Sequence, residues 1–161
     1  MKLLGRFTLQ RKGKPDVVLG NIVCRPGLAD FAKYFGGDGT HVASGNWYIG
    51  LIDGSGFSSE AMSDTMASHA GWTELTSYSQ SARPSVSSGT RTGVGSATVK
   101  TTTATFTATA ALSIRGIFLT DNSTKGGTSG LLWSTAVYGS NQSVADGEQF
   151  QIKYEVEWYA G

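Results

Sequence analysis

The C-terminal part of the chain alternates apolar and polar residues with a period of two. Its clearest run follows the turn signal Asp146-Gly147. The apolar members of the run are Phe150, Ile152, Tyr154, Val156 and Trp158, and the polar members are Gln151, Lys153, Glu155 and Glu157. Because successive side chains of a strand point to opposite faces, the run predicts a β-strand with one buried face, starting near Glu148.

Three further strands are predicted upstream of this run. Apolar residues alternate with threonines at Ala104, Phe106, Ala108 and Ala110, which is typical of a half-buried strand whose small inward residues lie under bulky ones. Residues 113–120 and 131–138 are two further apolar runs, joined by a glycine-containing connection of ten residues. This arrangement predicts a long hairpin.

The N-terminal part predicts a hairpin, a helix and a central strand. Residues 4–10 and 17–24 flank the turn sequence Lys12-Gly13-Lys14-Pro15. After Pro26, apolar residues recur at the spacing of a short helix that would bury the face formed by Leu28, Phe31, Ala32 and Phe35. Residues 46–53 are apolar on both faces, as expected of a strand that is covered on both sides.

Residues 54–95 are rich in Ser, Gly, Thr and Ala and carry a weaker pattern. Within them, residues 59–68 could form a helical turn and residues 72–78 a strand. A loop region of this length is uncommon in a compact domain. We therefore expect part of it to lie on a neighbouring molecule.

Together these elements predict one all-β domain over residues 1–161, a mainly antiparallel, jelly-roll-like β-sandwich with one short N-terminal helix. Its special parts are a basic hairpin and helix in residues 1–36 and the long loop region in residues 54–95. A chain of 161 residues can bury a sizeable core, and its one cysteine excludes an internal disulfide and zinc sites built on paired thiolates. We expect no cofactor, no metal, no secretory signal and no membrane span.

The net charge of +1 conceals an asymmetry along the chain. Residues 1–36 hold seven basic and two acidic side chains, whereas the remaining residues hold six basic and ten acidic ones. Such an asymmetry favours contacts between copies, or docking of the basic part on an acidic neighbour. The equally weighted alternative is a solvated strand pair whose lysines protect a sheet edge. The candidate partner-contact residues of this segment are Arg6, Arg11, Lys12 and Lys14.

Catalysis needs a nucleophile or an acid–base pair with a partner, and the sequence offers few candidates. His69 lies between Asp64 and Glu74, but a hydrogen-bonded loop histidine is the commoner outcome of such spacing. Cys24 lies in an apolar run and is interpreted as a small core residue. The glycine-containing segments lack the complete spacing of a nucleophile elbow or a dinucleotide loop. We therefore predict no enzymatic activity and no catalytic residue.

Four tryptophans raise a further alternative, a carbohydrate-binding module whose rings stack on sugars. Trp47, Trp133 and Trp158 fall in predicted strands, on faces that we expect to be buried. Trp72 lies in the loop region, and it is the one tryptophan kept as a partner-contact candidate.

Several weakly specific sequence segments follow one another along most of the chain. In the first half these segments are Gly20-Asn21-Ile22-Val23, residues 26–32 and residues 46–51. Later they are residues 68–75, Ala82-Arg83-Pro84, residues 117–119 before 123–127, and Asp146-Gly147-Glu148. In this order they are similar to small virion proteins of tailed bacteriophages.

The resemblance implies a structural β-sandwich of the virion, made in the cytoplasm of a bacterial host. Small decoration proteins of this size usually act as cement that bridges capsid subunits. The first expectation is therefore a capsid decoration protein that self-associates and contacts the major capsid protein or other virion proteins, with no direct nucleic-acid or membrane binding. A tail component for fibre attachment or host contact is the alternative in the same class.

Overall fold

The computed structural model describes residues 2–36, 47–92, 96–101 and 103–159. Two six-stranded antiparallel sheets pack against each other, and the described residues contain one helix. The elements are β1 (Lys2–Arg11), β2 (Val17–Gly20), β3 (Ile22–Val23), α1 (Arg25–Gly36), β4 (Trp47–Asp53), β5 (Glu74–Leu75), β6 (Ser85–Val86), β7 (Ser88–Thr92), β8 (Ser96–Thr101), β9 (Ala104–Thr107), β10 (Leu112–Thr120), β11 (Leu132–Val144) and β12 (Gln149–Tyr159). The predicted all-β sandwich is confirmed.

The first sheet has the strand order β2-β1-β12-β8-β7, and β9 also pairs with β12. The second sheet has the order β3-β11-β10-β4-β5, and β6 also pairs with β4. The longest pairing joins the two ends of the described chain, since β1 and β12 align from Lys2 opposite Tyr159 to Arg11 opposite Phe150. This register places the turn after β1 and the turn before β12 at the same end of the sandwich.

Two of the four passages of the chain from one sheet to the other are corners made by a single residue. At Asn21 it leaves β2 in the first sheet and enters β3 in the second, while the Asn21 side chain donates to the Tyr154 hydroxyl at 2.9 Å. At Ser87 it returns from β6 to β7. The prediction of one continuous strand over residues 17–24 is therefore wrong. Strands that switch sheets form the corners of a sandwich, and here they lie on both of its flanks.

The main core lies between the sheets and contains the inward face of β12. Phe150, Ile152 and Tyr154 are buried, as their alternation predicts, whereas the side chain of Trp158 lies outside the described residues. Ala104, Phe106 and Ala108 are buried in the same core, and Phe106 stacks on Phe150 with centroids 5.2 Å apart. The Tyr78 and Phe106 rings pack edge to face, and the Tyr78 backbone forms an isolated β-bridge with Ala108. Ala110 lies beyond β9 and is exposed.

Replacing Ile152 with alanine is expected to lower the free energy of unfolding by about 2–5 kcal/mol, because the change leaves a cavity in a packed interior. Ile152 is fully buried between the sheets. Urea denaturation measures the effect, with Gln151→Ala as the control on the exposed face of the same strand. An Ile152→Ala variant as stable as the control would contradict the assigned register of β12.

A second hydrophobic cluster, the outer core, covers the opposite face of the second sheet. It consists of Cys24, Ile52, Met66, Trp72, Phe118 and Leu132. Met66 and Trp72 come from the loop region, so residues 54–84 fold back on their own sheet, and the length of the loop region does not by itself require a neighbouring molecule. Residues 59–68 form turns and a bridge rather than a helical turn, and the strand predicted in 72–78 is limited to β5.

Helix α1 forms where the sequence predicts it, but it buries a different face. Phe31 packs against the main core, and Gly27 touches β11 so closely that an added Cβ would lie 2.5 Å from the Trp133 carbonyl oxygen. This contact turns Leu28 and Ala32 outward, where both are exposed. The prediction that Leu28 and Ala32 are buried is therefore wrong, and the side chain of Phe35 lies outside the described residues.

Candidate partner interface

The basic hairpin lies at one end of the sandwich, which we call the tip. The turn of residues 12–16 joins β1 to β2 there, with Gly13 at φ +72°. The turn of residues 145–148 lies beside it because Arg11 is opposite Phe150 in the sheet. The start of β10 completes the tip, since Leu112 is opposite Val144. Local turn geometry and strand register therefore bring three segments of the chain together.

Two of the predicted contact residues at the tip are held by their own chain. Arg11 donates to the Ser143 carbonyl oxygen at 2.8 Å and to Gln142 Oε1 at 3.3 Å, which ties the hairpin to β11. Lys14 Nζ lies 4.0 Å from Glu148 Oε1. Lys12 is exposed at the turn and is the tip residue best placed to meet another molecule.

The other two predicted contact residues lie away from the tip. Arg6 is on the open face of the first sheet, where it forms an ion pair with Glu157 at 2.6 Å. The carboxylates of Glu157 and Glu148 thus neutralise part of the basic segment within one copy. An exposed pair of this kind contributes little to stability because water and salt screen it.

A shallow depression, the tip groove, opens between the hairpin and the strand ends and has a volume of about 510 Å³. It is lined by Lys14, Ala111, Leu112, Ser113, Ser143, Val144, Ala145 and Glu148. Leu112 and Val144 are buried and form an apolar floor. A second depression, of about 380 Å³, lies beside Gln10, Arg11, Lys12, Asp16 and residues 149–151. The tip thus has two shallow depressions bordered by charged side chains.

Trp72 is not a contact residue, and this correction follows from its burial. Only 3 % of its surface is exposed, and its indole Nε1 donates to Asp64 Oδ2 at 2.9 Å. The His69 ring stacks on it with centroids 3.8 Å apart, and His69 Nδ1 lies 2.9 Å from the Trp72 carbonyl oxygen. His69 is therefore the hydrogen-bonded loop histidine that the sequence favours.

Arg83 and Glu74 form a buried ion pair that the sequence analysis missed. Arg83 Nε and Nη2 donate to the two carboxylate oxygens of Glu74 at 2.9 and 2.7 Å. Arg83 also donates to the carbonyl oxygens of Asn122 and Gly127, at 2.9 and 2.7 Å. The arginine side chain is inaccessible to water. Its bonds join the loop of residues 121–130 to the segment that covers the outer core.

Among the described residues, Cys24, Tyr78 and Tyr138 are reactive side chains that belong to the core. Cys24 is fully buried, and its burial raises the pKa of the thiol to about 11, so the thiolate is scarce at neutral pH. Burial also raises the pKa of the Tyr78 and Tyr138 hydroxyls well above their usual range. The described residues contain no group of three His, Cys, Asp or Glu side chains that could hold a metal ion, and no described helix is long and apolar enough to cross a membrane.

The tryptophans of the described residues form no exposed ring platform. Trp133 is buried and meets Trp47 edge-on, with ring centroids 5.1 Å apart. Trp47 packs against the main core, and Trp72 belongs to the outer core. Stacking on a sugar needs an accessible ring face, so these three rings do not favour a carbohydrate-binding module.

Comparisons with protein-family models, with curated proteins and with solved structures found no match for this chain. The functional argument therefore depends on the sequence pattern and on the geometry described above.

Proposed function

We propose that this chain is a non-enzymatic structural protein of a tailed-bacteriophage virion, a capsid decoration protein that bridges and stabilises subunits of the head shell. The observation that carries the proposal is the way in which the polar side chains are used. His69, Cys24, Glu74 and Arg83 are engaged in internal packing, while the tip carries the exposed Lys12 and Lys14 beside two shallow depressions. Such an arrangement suits a protein that docks on a neighbour.

The order of sequence segments that resembles small virion proteins supports the same proposal. The edge strands β2, β7, β3 and β5 span only two to five residues, which limits uncontrolled edge pairing and suits a cement protein. A tail component remains the alternative within this class, since the same surfaces would serve there.

The decisive experiment is quantitative mass spectrometry of purified virions of the phage that encodes the chain. A copy number close to that of the major capsid protein is expected for a decoration protein. A copy number of a few to a few dozen would indicate the tail instead. Absence of the chain from purified particles would contradict both versions of the proposal.

Attachment to the particle is expected to depend on Lys12. Reversing this charge with Lys12→Glu should weaken binding to undecorated particles by about two- to fivefold, because an exposed rim charge contributes modestly to an interface. The effect should shrink as salt rises, since the screening length is about 8 Å at physiological ionic strength. Lys12 is exposed and outside the tip's internal contacts, so the melting temperature should not change.

Co-sedimentation of the purified variants with undecorated particles, at several salt concentrations, measures this effect. Lys153→Glu, on the open face of the first sheet, is the matched charge-reversal control. Arg11→Glu is less suitable, because it would break the contacts that tie the hairpin to β11. Equal occupancy for Lys12→Glu and wild type would show that the hairpin faces solvent on the particle.

A further inference from the structure

The outer edge of β2 is a sheet edge with little protection against pairing. β2 is the last strand of the first sheet, and its sequence, Val17-Val18-Leu19-Gly20, holds neither a charged residue nor a proline. Charged side chains, prolines and bulges are the usual means by which proteins keep edge strands from pairing. Val18 is 56 % exposed on the open face of the sheet, opposite Thr8. Apart from its short length, this edge therefore lacks the usual protection.

The hydrogen-bond pattern shows which backbone groups point to this edge. The Asn21 amide donates to the Gly5 carbonyl oxygen at 3.0 Å. Because successive residues of an antiparallel strand direct their backbone groups to alternate sides, Leu19 also bonds to β1, whereas Val18 and Gly20 direct theirs away from it. Among the described residues, these outward groups have no bonding partner. Another strand can therefore add to β2 at Val18 and Gly20.

A second copy of the same strand fits this edge. Antiparallel pairing centred on Val18 places this residue opposite its own counterpart and Gly20 opposite Asp16 of the second copy. Each of these pairs exchanges two backbone hydrogen bonds. The inward faces also match, because Val17 and Leu19, which pack against the main core, then lie opposite each other. A shift by one residue would bring apolar inward side chains opposite outward ones.

Charge complementarity selects the second copy as the occupant. Arg6 lies opposite Gly20, and Asp16 of the second copy would lie on the other side of that glycine. The two Cα atoms would be two strand spacings, about 10 Å, apart, which an arginine and an aspartate side chain can span. The space above Gly20 is open, since an added Cβ would meet no heavy atom within 4 Å. Arg6 bonds Glu157 and Asp16 Oδ2 accepts from Gln10, but both groups retain further donor or acceptor atoms.

We propose that two copies of the chain pair through β2 and form one continuous sheet across the interface. The contact is isologous, so it closes as a dimer and does not propagate. A ladder this short buries little area, which predicts a weak dimer with a dissociation constant of about 0.05–1 mM. The inference goes beyond the proposed function, since it depends on the strand edge and not on the tip or on a particle.

Sedimentation equilibrium of the purified protein at rising concentration tests the proposal. The wild type should form dimers and no larger species. Val18→Lys places like charges opposite each other at the two-fold axis and should weaken the dimer by about tenfold. Gln151→Lys adds the same charge to the exposed face of β12, an inner strand, and should leave dimerisation unchanged. A wild type that stays monomeric at about 2 mM, or a Val18→Lys protein that dimerises like wild type, would overturn the proposal.

Charge reversals test the register of the new ladder. Arg6→Glu and Asp16→Lys each bring like charges together across the interface, so each variant alone should dimerise about three- to tenfold more weakly than wild type. An equimolar mixture restores both opposite-charge pairs and should form heterodimers more tightly than either variant forms homodimers. Melting curves check that both variants fold, and Asp16→Lys loses only the bond from Gln10. A mixture that associates no more tightly than the separate variants would overturn the proposal.

Amide hydrogen exchange gives an independent readout on the unmodified protein. The Val18 and Gly20 amides should exchange quickly in dilute samples and become protected as dimers form. The Leu19 amide bonds to β1 and should be protected in both. Protection of Val18 that does not change with concentration would contradict the pairing.

Particle binding distinguishes a second copy from another protein at this edge. A monomeric wild type whose attachment to undecorated particles is lost with Val18→Lys would assign the edge to a strand of another protein and overturn the proposal. The sedimentation and exchange measurements are made without particles. Failure of the dimer and failure of the virion role are therefore distinguishable.

Discussion

Replacing Arg83 with methionine is expected to destabilise the fold by about 3–5 kcal/mol, because removing one partner of a buried ion pair leaves the other charge uncompensated. Glu74 retains only 8 % side-chain exposure and would lose both of its bonds to the guanidinium. The carbonyl oxygens of Asn122 and Gly127 would lose their donors at the same time. Urea denaturation, with the slope compared to wild type, measures the loss.

Two further variants show whether the effect comes from the ion pair itself. Arg115→Met removes one hydrogen bond to a carbonyl oxygen and the contact of the guanidinium with the Phe57 ring. It should lower the free energy of unfolding much less than Arg83→Met does. The double variant Arg83→Met with Glu74→Gln should recover part of the loss, because the orphaned charge is then absent. An Arg83→Met variant within about 0.5 kcal/mol of wild type would mean that the pair is not buried in solution.

The strands whose pattern is strictly alternating could be predicted from the sequence. In β12 and β9 one face meets the main core and the other meets water or polar neighbours, so a period of two appears directly in the residues. The helix bounds were also predictable from Pro26 and Gly36. Which face of the helix is buried could not be predicted from the sequence. That face is set by the close approach of Gly27 to the Trp133 backbone, a contact between distant parts of the chain.

The outer core could not be predicted, since its contributors share no periodicity. Met66 and Trp72 lie in turns, and they are buried because the loop region folds across the second sheet. The apolar character of both faces of β4 showed that something covers this sheet without showing what does. The ion pair of Arg83 could not be predicted from the sequence either, because the other acceptors of Arg83, at Asn122 and Gly127, are remote in sequence.

In the candidate interface, only the contacts between residues close together in the sequence could be predicted. A two-strand hairpin places Arg11, Lys12 and Lys14 together whatever the rest of the fold does. The acidic partners of Lys14 and Arg6 depend on the register of β1 against β12, which local sequence does not specify. Charge counting along the chain therefore overestimated how much of the basic segment is free for another molecule.

Replacing Trp72 with alanine is expected to lower the free energy of unfolding by about 3–5 kcal/mol, because it removes the largest ring of the outer core. Trp72 packs on Phe118 with ring centroids 5.2 Å apart and supports the stacked His69 ring. Trp72→Phe should cost less, since it keeps most of the buried area. It would still remove the indole donor from Asp64 Oδ2, which keeps its bond from the Ala61 amide, so this loss should be about 0.5–1.5 kcal/mol.

Denaturation and particle binding, measured on the same samples, separate a core residue from a contact residue at this position. Met62→Ala, in the same loop but exposed, is the control and should stay within about 0.5 kcal/mol of wild type. A Trp72→Ala protein that remains folded at low temperature should still attach to undecorated particles, because its tip is unchanged. Full stability combined with lost attachment would instead show that residues 54–84 leave the second sheet and meet the partner directly.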